Sequence, residues 1–439
     1  MRISILLLLS SLILHPACFG ETVRALNFGS TEGAWWHGQY FEGMPCPAEV
    51  ACRKNRGVSG TDEPALFESL IEGPLTLELT IPNGTYDATL FFAEPEHNPQ
   101  PARTFDVLMQ NELKIDSMDV MRYRDGQSRS ALTVTLPDIV VQDEILHMVL
   151  RPDSGDPLLS GLYLTSRNTE ANTESDWELV WQELFEQPEL DSAYWNVDEW
   201  PPGKVNNEDQ AYTSEPKNLR IEAGKLVIEA HHHPQSAVAF TSARVHTLGK
   251  QDFRYGRLEV VAQLPGAQGT WPAIWLLPSD PFKYASNCVA GTDWQGNRQC
   301  DAWPNSGEID MMEHVGFEPG HVHGTVHSRA YYWVTGNQRK GRLIKPSVTK
   351  GFHLYAMEWQ PDRIDMYVDG TRYFSYLRSN KPSWQDWPFD QPFHLILNLA
   401  IGGDWGRAGG PIEREAFPQR MLVDSVRLYR RADLPANRD

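Results

Sequence analysis

Three acidic residues interrupt an otherwise apolar stretch of this chain. Glu308, Asp310 and Glu313 stand in the segment Glu-Ile-Asp-Met-Met-Glu, where every intervening residue is apolar. Ionised side chains are costly among apolar neighbours unless they face water, a charge partner or a substrate. An acidic solvated strand edge would carry polar residues between the acids. The pattern therefore favours acids that are held in place for chemistry.

The spacing of these acids predicts an irregular strand. Residues two apart on a strand share a face, so Glu308 and Asp310 point the same way. Glu313 follows Glu308 by five residues and would point to the opposite face of a regular strand. One extra residue at Met311 or Met312 restores the alternation, and the sequence therefore predicts a β-bulge there.

With the bulge, the α-carbons of Glu308 and Glu313 stand about 13 Å apart. Side chains that lean toward each other across Asp310 then reach the carboxyl separation of about 5–5.5 Å that suits retaining glycoside hydrolysis. One carboxylate attacks the anomeric carbon, while the other protonates the leaving oxygen and later activates water. The charge of Asp310 would raise the pKa of the acid partner, and its hydrogen bonding would hold the nucleophile.

The elements that must position these acids are β-strands. Residues 363–368 and 371–376 alternate around Asp369 and Gly370, which is the pattern of a two-residue hairpin. No run of 12 or more residues keeps a helical period. Many short strands separated by Gly and Pro turns predict an all-β chain, built as two-sheet sandwiches or a jelly roll.

Composition divides the 439 residues into segments. Residues 3–14 form an apolar run that predicts a signal peptide at 1–20, and hence a secreted, periplasmic or cell-surface protein. That run is shorter than the about 20 residues of a membrane-spanning helix. A lipid anchor at Cys18 is the alternative. A polar linker is predicted at 166–176, between a β-sandwich at 21–165 and a second domain at 177–432, with a tail at 433–439.

Four cysteines follow the predicted signal peptide. An even number in an exported chain favours two local bridges, Cys46 with Cys52 and Cys288 with Cys300. Free thiols are the alternative, because sequence does not determine connectivity. No Cys-x2-Cys pair is present to indicate zinc.

The charge and the aromatic content indicate the class of substrate. Lys and Arg number 39 against 58 Asp and Glu, so the formal charge is −19, which disfavours nucleic acid as a partner. A neutral substrate fits better. Fifteen Trp residues suit the apolar faces of sugar rings, although any single Trp is equally suited to core packing.

The acidic motif resembles the Glu-x-Asp-x-x-Glu signature of glycoside hydrolase family 16 in its bulged form. The resemblance covers most of residues 177–432 and includes segments at 206–213, 255–257, 269–277, 323–327 and 398–405. It implies a β-jelly roll with a sugar-binding cleft and no cofactor for catalysis. It also implies Glu308 as nucleophile, Glu313 as acid/base and Asp310 between them, in a laminarinase-type retaining endo-β-1,3-glucanase acting on polysaccharide.

Further site residues follow from that resemblance. The candidates for substrate contact are Asn206, Arg257, Trp271, Trp275, His327 and Trp405. Many relatives carry a structural calcium ion, and Asp424 matches one of its usual acids. Leu184 stands where the other acid is usual and Glu183 is one position off, so the calcium expectation rests on Asp424 alone.

Three other functions stay open at this point. An agarase or carrageenase of the same family would cut galactans, and a jelly-roll lectin would bind glucan without cutting it. The acids discriminate against the lectin, since binding alone does not require them. His321, His323 and His327 share a strand face by parity and would suit a transition metal in a cupin-like roll, although the family resemblance explains His323 and His327 without metal.

The N-terminal half resembles the malectin or malectin-like fold. The resemblance rests on short motifs at residues 26–29, 81–94 and 103–107. It implies a carbohydrate-binding module that holds the enzyme on a polysaccharide and raises the local substrate concentration. A structural β-sandwich without a ligand is the alternative.

Overall fold

The computed structural model describes residues 4–5, 22–48, 50–96, 103–124, 126–167 and 177–435. The predicted signal peptide apart from residues 4–5, Cys18, most of the predicted linker and residues 436–439 of the predicted tail lie outside these ranges. The chain divides into two compact units, residues 1–174 and 175–439. Within the described ranges, no helix has the length and apolarity that a membrane crossing needs.

The first unit is built from β-strands with short 3₁₀ turns at Pro64–Phe67 and Arg122–Arg124. Its strands are β1 (Ser4–Ile5), β2 (Thr22–Phe28), β3 (Ala34–Trp36), β4 (Gln39–Met44), β5 (Ala51–Lys54), β6 (Ser69–Glu72), β7 (Leu75–Thr80), β8 (Gly84–Phe92), β9 (Thr104–Met109), β10 (Glu112–Met118), β11 (Leu132–Val141), β12 (Ile145–Ser154), β13 (Leu158–Leu159) and β14 (Gly161–Ser166). They pair in the orders β11-β8-β14-β2-β4-β3, β1-β7-β12-β9-β10 and β13-β6-β5.

Alternation of side chains produces the sandwich of this first unit. In β7 the three leucines are buried, while the intervening threonines and Glu78 point outward. Aromatic residues such as Phe41, Phe67 and Phe91 form a core cluster. The disulfide Cys46–Cys52 is present, as predicted.

The second unit contains the acidic motif. Its strands are β15 (Trp177–Glu183), β16 (Asn196–Val197), β17 (Gln210–Tyr212), β18 (Leu219–Ile221), β19 (Leu226–His232), β20 (Phe240–Ser242), β21 (Arg244–His246), β22 (Gly256–Gln263), β23 (Thr270–Pro278), β24 (Glu308–Glu313), β25 (His321–His327), β26 (Arg339–Ile344), β27 (His353–Trp359), β28 (Arg363–Val368), β29 (Thr371–Leu377), β30 (Phe393–Ile401) and β31 (Gln419–Arg431). Short helices are α1 (Ala302–Asn305) and α2 (Gly403–Gly406), with 3₁₀ turns at Trp333–Thr335, Pro346–Thr349 and Arg414–Ala416.

Two sheets of the second unit pack face to face. The first, which we call the site sheet, has the order β16-β21-β30-β23-β24-β25-β26. The second, which we call the outer sheet, has the order β17-β20-β19-β31-β22-β27-β28-β29, with β15 and β18 beside β31 and β19. One continuous apolar core lies between them. The all-β jelly-roll prediction is confirmed.

Alternation on the site sheet separates the core from the chemistry. Ile274 and Leu276 of β23 are fully buried in the core, so Trp271 and Trp275 project from the opposite face. Asp369 and Gly370 form the predicted turn between β28 and β29. The disulfide Cys288–Cys300 closes a loop between β23 and β24.

Candidate active site

A β-bulge in β24 brings the three acids to one face. Trp275 of β23 pairs with Asp310, and Ile274 pairs with Met312, which leaves Met311 as the extra residue. On the other side of β24, Asp310 pairs with Thr325 and Glu313 pairs with His323. Three steps along β24 thus match two steps along β25. Met311 and Met312 both pack into the core. The predicted bulge is confirmed, and Glu308, Asp310 and Glu313 share the face away from the core.

A tyrosine hydroxyl stabilises the bulge from within the core. Tyr373 of β29 donates a hydrogen bond from its hydroxyl to the carbonyl oxygen of Met311 at 2.5 Å. Tyr373 is 3% exposed, so this bond satisfies a carbonyl that water does not reach. Gly324 leaves space for Tyr373, because a Cβ added at Gly324 would lie 3.1 Å from the Tyr373 hydroxyl oxygen.

Each glutamate of the motif accepts a hydrogen bond from a tryptophan indole. The Nε1 of Trp303 donates to Glu308 Oε2 at 3.1 Å, and the Nε1 of Trp271 donates to Glu313 Oε1 at 3.0 Å. Trp303 is absent from the candidates derived from sequence. The Trp-Pro pair five residues before Glu308 is the signal that could have identified it.

An aspartate and a histidine lie between the two glutamates. The Nε2 of His327 is 3.3 Å from Asp310 Oδ2 and 3.6 Å from Glu308 Oε1. In the described ranges, Glu308, Asp310 and His327 are the one group of three His, Cys, Asp or Glu residues whose ligand atoms all lie within 4.8 Å of one another. Asp310 is 3% exposed, while Glu308 keeps 15% of its side chain accessible.

Burial and mutual repulsion shift the pKa values of these acids upward. Burial raises the pKa of Glu308 well above its ordinary value, and the charge of Asp310 raises it further. Burial and then the charge of Glu313 raise the pKa of Asp310. Burial also raises the pKa of Glu313, against the lowering effect of the Trp271 hydrogen bond. Such a cluster retains a proton toward neutral pH, which acid catalysis requires.

The aromatic candidates lie on the same face as the acids. Trp405 in α2 stacks edge-to-face with Trp271, with ring centroids 5.5 Å apart. The ring of His323 is 4.9 Å from Trp405. His323 is fully buried, so the apolar surface offered to a sugar ring beside Glu313 is that of Trp271 and Trp405.

Trp275 and Asn206 lie at opposite ends of a hydrogen-bonded network. Trp275 donates to Asn398 Oδ1 at 2.7 Å, and Asn398 donates to the hydroxyl of Tyr212 at 3.0 Å. The Tyr212 hydroxyl donates to Glu208 at 3.2 Å, and Asn206 donates to the other oxygen of Glu208 at 3.3 Å. Glu208 and Tyr212 are not among the site residues predicted from sequence. They lie in the segment 206–213, which enters the sequence-based predictions only as part of the resemblance to family 16.

Arg257 lies elsewhere, and its prediction as a cleft residue is wrong. Leu258 and Val260 of β22 face the core, so parity turns Arg257 to the outside of the outer sheet. There it forms ion pairs with Glu259 at 2.8 Å and Glu358 at 2.7 Å. Sequence alone did not assign β22 to one sheet or the other.

The three histidines of the metal alternative have different partners. The Nε2 of His323 is 3.1 Å from Glu318, and the Nδ1 of His321 is 3.7 Å from it. Burial alone would raise the pKa of Glu318, but Arg342 and both histidines lower it below its ordinary value. His327 instead faces Asp310 and Glu308, so the trio does not converge on one point.

The residues at the expected calcium position do not fit that ion. Calcium takes six to eight oxygen ligands. Asp424 is 44% exposed and lies 3.4 Å from the ammonium of Lys225, a cation that competes with any metal. Glu183 accepts a hydrogen bond from the backbone of Phe185 at 2.8 Å. Asp424 belongs to no group of three His, Cys, Asp or Glu side chains with converging ligand atoms in the described ranges.

Comparison with known proteins identifies the family. Residues 203–416 match the model for glycosyl hydrolases family 16, and residues 30–157 match the malectin domain. The beta-glucanase of Rhodothermus marinus is 45% identical over 260 residues, which cover 58% of this chain and 85% of that protein. Glucan endo-1,3-beta-glucosidase A1 of Niallia circulans is 32% identical over 277 residues, 57% of this chain and 38% of that protein.

A solved structure agrees with these matches. The X-ray structure of the laminarinase from Rhodothermus marinus has a TM-score of 0.51 at 43% identity, and the match covers 58% of this chain and 97% of that one. Because the similarity to the Rhodothermus protein extends over 85% of its length at 45% identity, this chain belongs to glycosyl hydrolase family 16, with a malectin domain preceding its hydrolase domain.

Proposed function

We propose that this protein is a secreted endo-β-1,3-glucanase that hydrolyses laminarin-like polysaccharide with retention of configuration. One observation carries the proposal: the bulge at Met311 sets Glu308, Asp310 and Glu313 on one face, with each glutamate held by an indole N–H. The relatives named as glucanases support β-1,3-glucan as the substrate class. The apolar run at 3–14 supports secretion.

The first chemical step forms a glycosyl-enzyme ester. The carboxylate of Glu308 attacks the anomeric carbon as the glycosidic bond breaks, and Glu313 gives its proton to the leaving oxygen. Trp303 orients the nucleophile, and Trp271 orients the acid. Burial raises the pKa of Glu313, which favours the protonated form that the acid role needs.

The second step returns the enzyme to its starting state. Ionised Glu313 takes a proton from a water molecule, whose oxygen attacks the anomeric carbon and displaces Glu308. Asp310, between the two glutamates, disfavours a second negative charge and so keeps one proton in the cluster. Burial lowers the pKa of His327, so its imidazole stands 3.3 Å from Asp310 without adding charge.

The nucleophile is tested by Glu308→Gln with laminarin as substrate. We expect turnover to be lost while binding is largely retained, because the amide keeps the shape but cannot attack. Retention is checked by NMR of the first-formed reducing end, which should be the β-anomer. Glu415→Gln, at an exposed position in a 3₁₀ turn, is the matched control. Full activity of Glu308→Gln would remove the proposal.

The acid role of Glu313 is tested by Glu313→Ala on two substrates. Loss of the proton donor should lower kcat strongly on laminarin and weakly on aryl glycosides with good leaving groups, which need little protonation. Equal loss on both would contradict the role.

Digestion of laminarin, mixed-linkage glucan, agarose and carrageenan, compared by product size, separates the glucanase from a galactan hydrolase.

We propose further that residues 21–165 hold the enzyme on its polysaccharide, that a linker at 166–176 follows, and that residues 177–432 form the catalytic domain. An exposed aromatic pair supports the binding role. Trp35 and Tyr40 face each other across β3 and β4 with ring centroids 5.3 Å apart, and they are 60% and 46% exposed. Exposed rings of this kind offer a stacking surface to pyranose faces.

The pair is tested by a Trp35→Ala, Tyr40→Ala double variant of the full chain. Sedimentation with insoluble β-1,3-glucan should fall about tenfold, while activity on soluble oligosaccharides stays unchanged. Leu113 and Val140 are also exposed in the same unit, so their double alanine variant is the control. Equal retention of both variants would argue against a binding surface here.

A further inference from the structure

A cavity lies next to Trp275, whose ring centroid is 5.0 Å from the guanidinium carbon of the lining residue Arg244. It has a volume of about 540 Å³, and its floor includes Arg244 and His246 of β21 and His394 of β30. Val245 and Leu395, the neighbours of these residues, are buried in the core, so the floor residues project from the same face as the acids. The cavity therefore lies on the active face of the site sheet.

The pairing of strands gives the distance from the acids to the cavity. Asp310 pairs with Trp275, Trp275 with Ile396, and Ile396 with His246. Three strand spacings amount to about 14 Å. A sugar chain that is bound at the acids and runs across the strands thus reaches the cavity within a few glucosyl units.

A disulfide-closed loop forms one wall of the cavity. We call residues 288–300, between Cys288 and Cys300, the wall loop. It contributes Thr292, Asp293, Trp294 and Gln295 to the lining. The opposite wall is the segment after β16, which contributes Asp198, Glu199, Trp200, Pro201 and Lys204.

Several contacts join the wall loop to the opposite wall and to the floor. Lys204 forms an ion pair with Asp293 at 2.5 Å. Gly296 has a φ of +80°, and an added Cβ would lie only 1.9 Å from the Lys204 carbonyl oxygen. Arg244 donates to Gln295 at 3.1 Å. The disulfide closes the base of the loop, so the loop is tied to the domain at its base, at the floor and at the opposite wall.

The lining suits an uncharged sugar. Trp200 and Trp294 supply apolar ring faces, and the polar side chains between them supply donors and acceptors for hydroxyl groups. Arg244 lies over Trp200 with its guanidinium carbon 4.2 Å from the ring centroid. The charged groups of the lining largely pair with one another, since Lys204 pairs with Asp293 and Arg244 lies 3.1 Å from Asp198. The cavity therefore offers no free cluster of cations to a sulfated galactan.

We propose that the wall loop ends the sugar groove and sets the length of the products. The cavity in front of it takes the last glucosyl units of a neutral glucan segment bound on that side of the acids. The proposal rests on the glucanase function and adds to it the element that determines cleavage position.

The proposal is tested by mapping cleavage sites in laminari-oligosaccharides labelled at the reducing end. Trp294→Ala removes an aromatic wall residue, and a Cys288→Ser, Cys300→Ser double variant releases the loop. Both should raise KM for short oligosaccharides about tenfold and shift cleavage toward longer fragments. Activity on an aryl glycoside too short to reach the cavity should stay within a factor of two of the parent's.

The controls separate this proposal from the function beneath it. A Cys46→Ser, Cys52→Ser double variant removes the disulfide of the other unit and should leave the cleavage pattern unchanged. If the wall-loop cysteine variant does not fold, as judged by circular dichroism, Trp294→Ala and Asp293→Ala decide the question. Parent activity with an unchanged cleavage pattern in the folded variants would overturn the wall loop's role. An inactive parent enzyme would instead overturn the glucanase proposal.

Discussion

At the level of single residues, the site depends on tryptophans as hydrogen-bond donors. Trp303 and Trp271 each donate one indole N–H to a motif glutamate. A neutral donor fixes a carboxylate without adding a second charge, so the acid cluster keeps the repulsion that raises its pKa values. Aromatic residues near a sugar site are usually interpreted as stacking surfaces, and here they also orient the reacting groups.

We predict that Trp303→Phe lowers kcat on laminarin by about tenfold to a hundredfold, with a smaller change in KM. The phenyl ring keeps most of the packing but removes the donor to Glu308, and loss of one preorganised donor in an active site commonly has an effect of this order or larger. Steady-state kinetics provide the measurement. Trp384→Phe, at a half-exposed position stacked on Tyr284, is the control. An unchanged kcat would mean that Glu308 needs no such donor.

The raised pKa values also predict a trade between activity and stability. Because the folded-state pKa of Glu308 lies above its ordinary value of 4.5, the folded chain binds a proton more tightly than the unfolded chain. The free energy of unfolding therefore falls as pH rises through the interval between the two pKa values. Burial of this acid therefore costs stability above the ordinary pKa of a glutamate.

We predict that Glu308→Gln raises Tm at pH 7 by a few degrees, since about 1 kcal/mol corresponds to about 2–4 °C in a domain of this size. The advantage should disappear below about pH 4, where the carboxyl is protonated in both states. Calorimetry across this range gives the answer. A stability gain that is the same at both pH values would point to packing instead of ionisation.

At the level of elements, the bulge is held by one hydroxyl. We predict that Tyr373→Phe destabilises the catalytic unit by about 1–3 kcal/mol, because the Met311 carbonyl loses its buried partner. The kcat on laminarin should fall as well, since the position of Glu313 depends on the bulge. Urea unfolding and kinetics measure the two effects.

Tyr355 provides the matched control for this variant. It is fully buried in the same core, and its hydroxyl has no hydrogen-bond partner among the residues that the structure describes. Tyr355→Phe should therefore be neutral or stabilising and leave kcat unchanged. If both variants behave alike, the Met311 bond has no special role.

At the level of the whole molecule, each unit has its own apolar core. We predict that deletion of residues 21–170 leaves kcat on soluble laminari-oligosaccharides within a factor of two and reduces retention on insoluble glucan. Sedimentation and kinetics of the truncated and full-length proteins give the comparison. Unchanged retention would argue that the first unit is structural only.

Local patterns in the sequence predicted the features that depend on neighbouring residues. The hairpin at Asp369 and Gly370, both disulfides and the bulge after Asp310 follow from spacing within a few residues. Arg257 was misplaced because its strand belongs to a different sheet from the acids, and that assignment depends on long-range pairing. Tyr373 was missed for the same reason, because it reaches Met311 from a strand of the other sheet. Trp303 lies only five residues before Glu308 and had a local signal, and the disulfide of the wall loop was predicted but not its place beside the cavity.

The extra residue of the bulge in β24, Met311, determines which face of the sheet Glu313 occupies. If Met311 were deleted, the interval from Glu308 to Glu313 would shrink from five residues to four. On a regular strand the two glutamates and Asp310 would then again share one face. Deletion of one residue inside a buried strand normally moves all the following side chains to the opposite face of the sheet. Here the deletion would keep the three acids on the same face. The damage would fall on Tyr373, whose hydroxyl would be left without its acceptor.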